Sequence, residues 1–391
     1  MTLLAAVGQS TDFDGRKACL QAIEQANNKV SLTGEPVQLA FIFVSQEYDL
    51  NEVMQTASVP LGSTPLLGCS SPGQLTQAGS RDRSVVVALL AGGPVSVDLD
   101  WWPGFADNSH DAAEAMLASL RPEDGRGQTL LVLADGLFGD GQTLCQVLPP
   151  GDYKLGGCMT GGSLQEKQSQ QIGGSQSGTG GLAAARLSGD IRSGVGLAHG
   201  WESIGMYFQV TRAEGVWIRT LNKRPSSETY ADVFGQPTKD WIHPPLNELV
   251  RLYPLGIESD EQDELLLRSP LQVEVDGSFR MSTPVPEGST GHLMIGSVST
   301  CVDAITRAAE QALLQLGSAR PVLALIFADI SWKMMFDATP GLETRALREV
   351  LGSEVPIAGT YSVGQIGQHE IQNAARLYNQ HIQIVLIGTP G

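Results

Sequence analysis

Three stretches of the sequence set thiols and hydroxyls between paired glycines: "PLLGCSSPGQL" (65–75), "KLGGCMTGGSL" (154–164) and "PIAGTYSVGQI" (356–366). Each has the spacing G-x-x-x-x-G, at Gly68/Gly73, Gly157/Gly162 and Gly359/Gly364. A nucleotide cradle needs Lys and then Ser or Thr after the second glycine. None of the three continues that way, which argues against an NTP site. Cys69 stands where a nucleophile could follow a strand, but Cys158 and Thr360 fill the same slot in the other copies. A slot that accepts Cys or Thr suits packing, and no histidine is adjacent in sequence to act as base. Ser70, Ser71, Tyr361 and Ser362 can donate hydrogen bonds into a pocket. Gly73 and Gly364 leave backbone N–H groups open to an anion. Cys69 and Thr360 complete this candidate lining. A purely structural turn accounts equally for any one copy taken singly.

Two aspartates end apolar runs: Asp135 in "LVLADGLFGDG" and its counterpart Asp329 in "LIFADI". Strand ends are where ligands meet α/β sheets, and equally where aspartate caps the next helix. An enzyme using Cys69, or the pair Asp135/Asp329, is the alternative reading. The five cysteines include no C-x-x-C and the six histidines no H-E-x-x-H, so no metal motif stands out.

The elements that would hold these residues repeat three times. Each copy reads as helix, buried strand, second helix, strand into the glycine turn, and a strand after it. In the first copy these are "DGRKACLQAIEQA" with Asp12 or Asp14 as cap, "VQLAFIFVSQ", "DLNEVMQTA", "TPLLG" and "RSVVVALLAGG". The third runs from "CVDAITRAAEQALLQLG" to "HIQIVLIG". The second ends in "GLAAARLSG" or "SGVGLAHG". Strands joined through a helix are normally parallel, and the strand after the turn antiparallel. The expected class is therefore α/β, layered in the α+β manner, with mixed sheets and outer helices in two domains. Residues 165–181, "QEKQSQQIGGSQSGTGG", read as a flexible loop. "SSETYADVFG" reads as a helix capped by serine, and "LQVEVDGSFRMS" as a hairpin turning on Asp-Gly.

The net charge of −17 opposes binding to nucleic acid or an anionic membrane. No leader pattern and no apolar run of membrane-span length is visible. Reduced thiols in a cytoplasmic protein are the expectation.

"LLGCSSPGQL", "LVLADGLFGDGQTL" and "LGGCMTGGSL" together resemble the FIST N domain. "VPIAGTYSVGQIGQ" followed by "LYNQHIQIVLIG" resembles the FIST C domain. The resemblance spans nearly the whole chain and implies a FIST N domain over 1–213 and a FIST C domain over 214–391. It implies an intracellular, non-enzymatic sensor of small ligands, amino acids having been suggested for the family. A subset of the family are haem proteins that sense nitric oxide and regulate a partner histidine kinase or cyclic-di-GMP enzyme. That form implies haem b, with His199, His369 and His381 as candidate axial ligands, and leaves a homodimer open. The chain departs from the family where Gln74 and Gln365 replace the usual Glu after the second glycine. Any role for those carboxylates in holding an amino group is lost here. The sequence carries no kinase, cyclase or DNA-binding signature, so a partner is expected to read ligand binding, through a change in how the two domains are arranged.

Overall fold

A computed structural model describes residues 3–31, 34–120, 128–151, 153–161, 168–259, 262–368 and 373–390. The first repeat runs β1 (Leu4–Ser10), α1 (Gly15–Val30), β2 (Val37–Ser45), α2 (Leu50–Leu61), β3 (Leu66–Ser71), β4 (Gln74–Thr76), β5 (Gly79–Arg81) and β6 (Val85–Ala91). The second runs β7 (Val95–Trp102), α3 (Ser109–Ser119), β8 (Gln128–Asp135), α4 (Gly141–Val147), β9 (Tyr153–Thr160), β10 (Gln170–Gly173), β11 (Gln176–Thr179) and β12 (Leu182–Gly189). The third opens on β13 (Arg192–Ala198).

An insertion follows before the third repeat resumes. It contains β14 (Trp201–Glu214), β15 (Trp217–Leu221), β16 (Arg224–Pro225), α5 (Ser226–Phe234), α6 (Thr238–Trp241), α7 (Leu246–Leu249), β17 (Leu255–Ser259), β18 (Gln262–Arg268), β19 (Pro270–Val273), β20 (Phe279–Met281) and β21 (Thr290–Gly296). The third repeat then continues with α8 (Val298–Leu316), β22 (Arg320–Asp329), α9 (Ile330–Met335), α10 (Leu342–Leu351), β23 (Ile357–Ser362), β24 (Gly364–Gly367), β25 (Arg376–Tyr378) and β26 (Ile382–Thr389). Two compact units result. One holds residues 1–198, 302–377 and 381–391; the other holds 199–301 and 378–380.

In the larger unit the three repeats build equivalent sheets, ordered β1-β6-β2-β3-β10-β11, β7-β12-β8-β9-β24-β25 and β13-β26-β22-β23-β4-β5. In each, the pair joined through a helix is parallel: β2 with β3, β8 with β9, β22 with β23. The remaining pairings are antiparallel, as expected for mixed sheets. The hairpin after each glycine turn does not stay in its own sheet. β4–β5 joins the third repeat, β10–β11 the first, and β24–β25 the second. The glycine turn is the point where the chain changes sheet.

The first glycine of each turn has a uniform cause. A Cβ at Gly68, Gly157 or Gly359 would lie 2.0, 1.9 or 1.9 Å from the carbonyl oxygen of Ile42, Val132 or Ile326 on the neighbouring parallel strand. Only glycine lets the two backbones approach so closely.

Alternation along the strands divides the core. Phe41, Phe43, Leu67, Cys69, Leu131, Leu133, Cys158, Leu325, Phe327 and Ala358 form one interior shared by all three repeats, with Phe43 edge-on to Phe327 at 6.2 Å. Ala40, Ile42 and Val44 face the other way, onto Cys19, Ile23 and Ala26 of α1 and Val53 and Ala57 of α2. Each fully buried Leu or Phe contributes about 1.5–3 kcal/mol. Asp14 caps α1 by accepting from Arg16 N and Lys17 N; Asp49 does the same for α2.

Several readings need correction. Residues 168–179 contain the β10–β11 hairpin rather than a flexible loop, because Gln171, Ile172 and Gly173 find partners on β3; residues 165–167 lie outside the described set. β1 and β7 were not read as strands. Helix α5 has no serine cap: Pro225 occupies the cap position, and Ser226 Oγ donates instead to Ile218 O. The candidates for the second repeat's last strand separate cleanly, since "GLAAARLSG" closes that repeat and "SGVGLAHG" opens the third.

The smaller unit holds an eight-stranded sheet, β18-β17-β21-β14-β15-β20-β19 with β16 on β15. Its core gathers Tyr230, Trp241, Phe279, Phe208 and Leu293. Among the described residues, no helix is long and apolar enough to cross a membrane.

Candidate functional site

The shared apolar interior ends in polar residues at the C-terminal edge of the parallel strand pairs. Strand register places Ser45 beside Ser71, Asp135 beside Thr160, and Asp329 beside Ser362. A buried glutamine from the exchanged hairpin meets each pair. Gln74 Nε2 donates to Ser71 Oγ at 2.9 Å, Gln171 Nε2 to Thr160 Oγ1 at 2.7 Å, and Gln365 Nε2 to Ser362 Oγ at 3.0 Å. The amide oxygens differ. Gln74 Oε1 accepts from Ser84 N and Ser84 Oγ, and Gln171 Oε1 accepts from Gly181 N. Gln365 Oε1 has no partner among the described residues. The residue matching Ser84 and Gly181 in the third repeat is His381. Its carbonyl accepts from Asp329 N at 3.0 Å, as Ser84 O accepts from Ser45 N and Gly181 O from Asp135 N.

Cys69, Cys158 and Thr360 lie one layer deeper, fully buried and opposite Gln171, Gln365 and Gln74. Burial pushes the Cys69 thiol up to about 12 and raises that of Cys158 well above the ordinary value. Neither is a thiolate near neutral pH, so this layer packs rather than attacks. The glycine turns help hold the sheets together: Gly73 O accepts from Tyr361 N, and Val363, next to Gly364, donates its N–H to Met159 O.

Asp135 is 1% exposed. Its Oδ1 accepts from Leu137 N at 3.0 Å, Phe138 N at 2.8 Å and Gly139 N at 3.4 Å, while Oδ2 accepts from Gly180 N at 3.3 Å. Burial raises its pKa against the pull of these four backbone donors. Asp329 caps α9 through Ser331 N at 3.0 Å. Both aspartates thus hold turns, and Asp135 also borders an open space. That cavity, of about 540 Å³, is lined by Gly104, Ala106, Asp107, Asp135, Phe138, Gln168, Ser169, Thr179 and Gly180. A second, of about 430 Å³, is lined by Gln46, Tyr48, Asp49, Leu50, Asn51, Ser70, Gln168 and Gln170. Gln168 borders both. Every lining residue belongs to the larger unit, so neither cavity is the shared one that a domain rearrangement would require.

Of the hydroxyls singled out in the sequence, Ser70 reaches a cavity. Ser71 and Ser362 lie in the buried polar layer. Tyr361 is buried, and its Oη donates to Glu343 Oε1 at 2.5 Å.

Two domain models match the sequence: the FIST N domain over residues 38–224 and the FIST C domain over 227–368. The chain belongs to the FIST family. FIST domains are small-ligand sensing domains. No curated protein matches this FIST chain in sequence. Among solved structures it is similar to the cyanuric acid hydrolase of A. caulinodans, at 8% identity and a TM-score of 0.40 with both chains covered in full. A second cyanuric acid hydrolase gives 6% and 0.38, again with full coverage of both. PurLQS from Thermotoga maritima gives 8% and 0.25, over 100% of this chain and 73% of that one. Likeness at this level carries no argument about a site or a reaction.

The haem form of a FIST sensor needs an axial side chain entering an apolar slot. Among the described residues, neither strand-end cavity is lined by a histidine, and both are lined largely by polar groups. His381 is 9% exposed at the start of β26, and His199 Nδ1 accepts from Trp201 N at 3.3 Å. His369 lies outside the described residues. The described residues of these two cavities do not fit haem.

Sequence reasoning missed Gln171, Gln168 and Phe138. Gln74 and Gln365 directly follow a second glycine, whereas Gln171 comes nine positions after Gly162 and so falls out of the motif frame. The available signal was Ile172 followed by two glycines in "QQIGG", within an otherwise polar stretch.

Proposed function

We propose that this FIST chain is a small-ligand sensor that binds its ligand in the paired cavities at the strand ends of the first two repeats. The observation that carries the reading is a break in the threefold pattern. Ser70, Met159 and Tyr361 occupy one slot, opposite Val44, Ala134 and Ala328 respectively. The third repeat fills that slot with a tyrosine ring, whereas the first leaves a cavity beside a serine. Concave, partly polar space at the ends of parallel strands is the usual place for a small ligand.

Gln168, Ser169, Gln170, Thr179 and Gly180 line these cavities and flank the β10–β11 hairpin. Ligand contact with them supplies the differential affinity by which binding shifts that hairpin. A separate protein then reads the change, with a histidine kinase or a cyclic-di-GMP enzyme as the partners to test. Thermal-shift screening of a metabolite library against wild type and Ser70→Tyr tests the reading. Compounds that stabilise wild type and not the filled variant support it; hits that ignore the variant defeat it.

A further inference from the structure

We infer that the ligand of the paired cavities is an aliphatic oligoamine, a methylene chain bearing two or more protonated amines; this rests on the strand-end cavities being the ligand site. Three carboxylates line the two spaces, Asp49 in one and Asp107 and Asp135 in the other. Among the described lining residues there is no Lys, Arg or His.

Two of the carboxylates keep an oxygen for a ligand. Both cap bonds of Asp49, from Asn51 N and Glu52 N, converge on Oδ1. Asp135 takes three backbone donors on Oδ1 and a single long one, 3.3 Å, on Oδ2. An ammonium group at Oδ2 offsets the desolvation of a carboxylate that is otherwise 1% exposed.

A long, thin molecule laid past Gln168, the wall residue common to the spaces of about 540 and 430 Å³, is the shape that would reach the carboxylates of both. Phe138 is 57% exposed on the rim of the larger one. Its ring face suits a cation or the methylenes between two cations. The side-chain oxygens of Gln46, Gln168, Ser169 and Thr179 offer further acceptors. A carboxylate-bearing ligand finds no cationic partner among the described residues of this lining. Arg83, whose charge reaches Tyr48, already stacks 3.8 Å above the Phe13 ring and pairs with Glu47.

The test is calorimetric titration of the full chain with spermidine and putrescine at about 150 mM salt, where surface charge is screened beyond about 8 Å. L-alanine and succinate serve as comparison ligands. The variants are Asp107→Asn, Phe138→Ala, Ser70→Tyr and, as a charge-matched control remote from the cavities, Glu24→Gln on the exposed side of α1. Expected is saturable one-to-one binding of spermidine, weakened about 5-fold or more by Asp107→Asn and by Phe138→Ala, abolished by Ser70→Tyr and unchanged in Glu24→Gln. Equal weakening by Glu24→Gln means adsorption to a chain of net charge −17 and overturns the inference. So does the absence of saturable amine binding. If alanine or succinate binds instead and Ser70→Tyr abolishes it, the ligand site stands and the amine class falls. If spermidine binds but ignores all three cavity variants, the site itself falls.

Discussion

Ser70 and Tyr361 occupy the same slot in two repeats of one fold, and they do opposite things there. Ser70 borders a cavity, and its Oγ accepts from Gln170 N at 3.0 Å. Tyr361 fills its own slot, 1% exposed, and anchors to Glu343. The larger unit is therefore threefold in backbone and asymmetric in how this slot is filled. Ser70→Tyr should place a ring where the third repeat already carries one. The expected result is loss of ligand-dependent stabilisation with a native circular dichroism spectrum. A variant that is still stabilised by the same compounds as wild type would mean that the cavity beside Ser70 is not the site.

Gln383 bridges two strands with its side-chain amide. Its Oε1 accepts from Gly157 N at 2.7 Å, and its Nε2 donates to Ile366 O at 2.9 Å. The β9–β24 ladder pairs only Gly364 with Met159 and Gln365 with Cys158, so this amide replaces the missing rung. Gln383→Leu leaves a buried N–H and a buried C=O without partners, at about 1–3 kcal/mol each. Urea unfolding should show a loss of about 2–5 kcal/mol; a change under about 0.5 kcal/mol, the scale of an ordinary surface substitution, would contradict the bridge.

Gly359→Ala should be among the most damaging single-methyl changes in the chain. The added carbon would sit 1.9 Å from Ile326 O, and that oxygen belongs to a central strand with no room to move. A loss of more than about 3 kcal/mol or failure to accumulate as soluble protein is expected, in line with severe overpacking. Gly62→Ala is a useful contrast. Nothing lies within 4 Å of a Cβ there, so only its backbone conformation, φ 57° and ψ −121°, opposes the change, at about 1–3 kcal/mol.

Glu343 gives the fold a pH dependence. Burial raises its pKa from 4.5 to about 6, against the opposing hydrogen bond from Tyr361, and its Oε2 has no partner among the described residues. The folded state therefore holds this proton more tightly than the unfolded chain does. The associated stability is fully present below pH 4.5 and is lost as pH rises through about 6. The difference corresponds to about 2 kcal/mol at neutral pH. Glu343→Gln should remove that part of the pH dependence and raise the melting temperature at pH 7.5 more than at pH 4.5. Equal effects at the two pH values would mean that the carboxyl does not titrate in this window.

Much of this was legible in the sequence. α1, α2, α3, α8 and α10 announce themselves by apolar spacing and by capping Asp or closing Gly, and β2, β8 and β22 by unbroken apolar runs. The glycine turns were recognisable because three copies agree in spacing. What the turns do was not legible. Exchange of hairpins between sheets is a choice of non-local partner, and β4, β5 and β24 are only three or four residues long, too short for a period to show. β7, "VSVDLDWW", is an edge strand whose alternation is weakened by partial exposure along its length. Of the residues lining the two cavities, Ser70 and Asp135 stand out in the sequence by type and position, whereas Gln171 of the neighbouring polar layer is hidden by the extra residues of the second turn. The openness of the cavity at Ser70, against the closure at Tyr361, depends on packing that no local pattern records.

The central claim is that a small molecule occupies the cavities beside Ser70 and Asp135. The most direct measurement is native mass spectrometry of the full chain after incubation with a cell extract filtered to remove macromolecules, comparing wild type with Ser70→Tyr and with Glu24→Gln, on the exposed side of α1, as a surface control. The account predicts one adduct of small-molecule mass on wild type and on Glu24→Gln, and none on Ser70→Tyr. An adduct carried undiminished by Ser70→Tyr, or no adduct on any of the three, would contradict it.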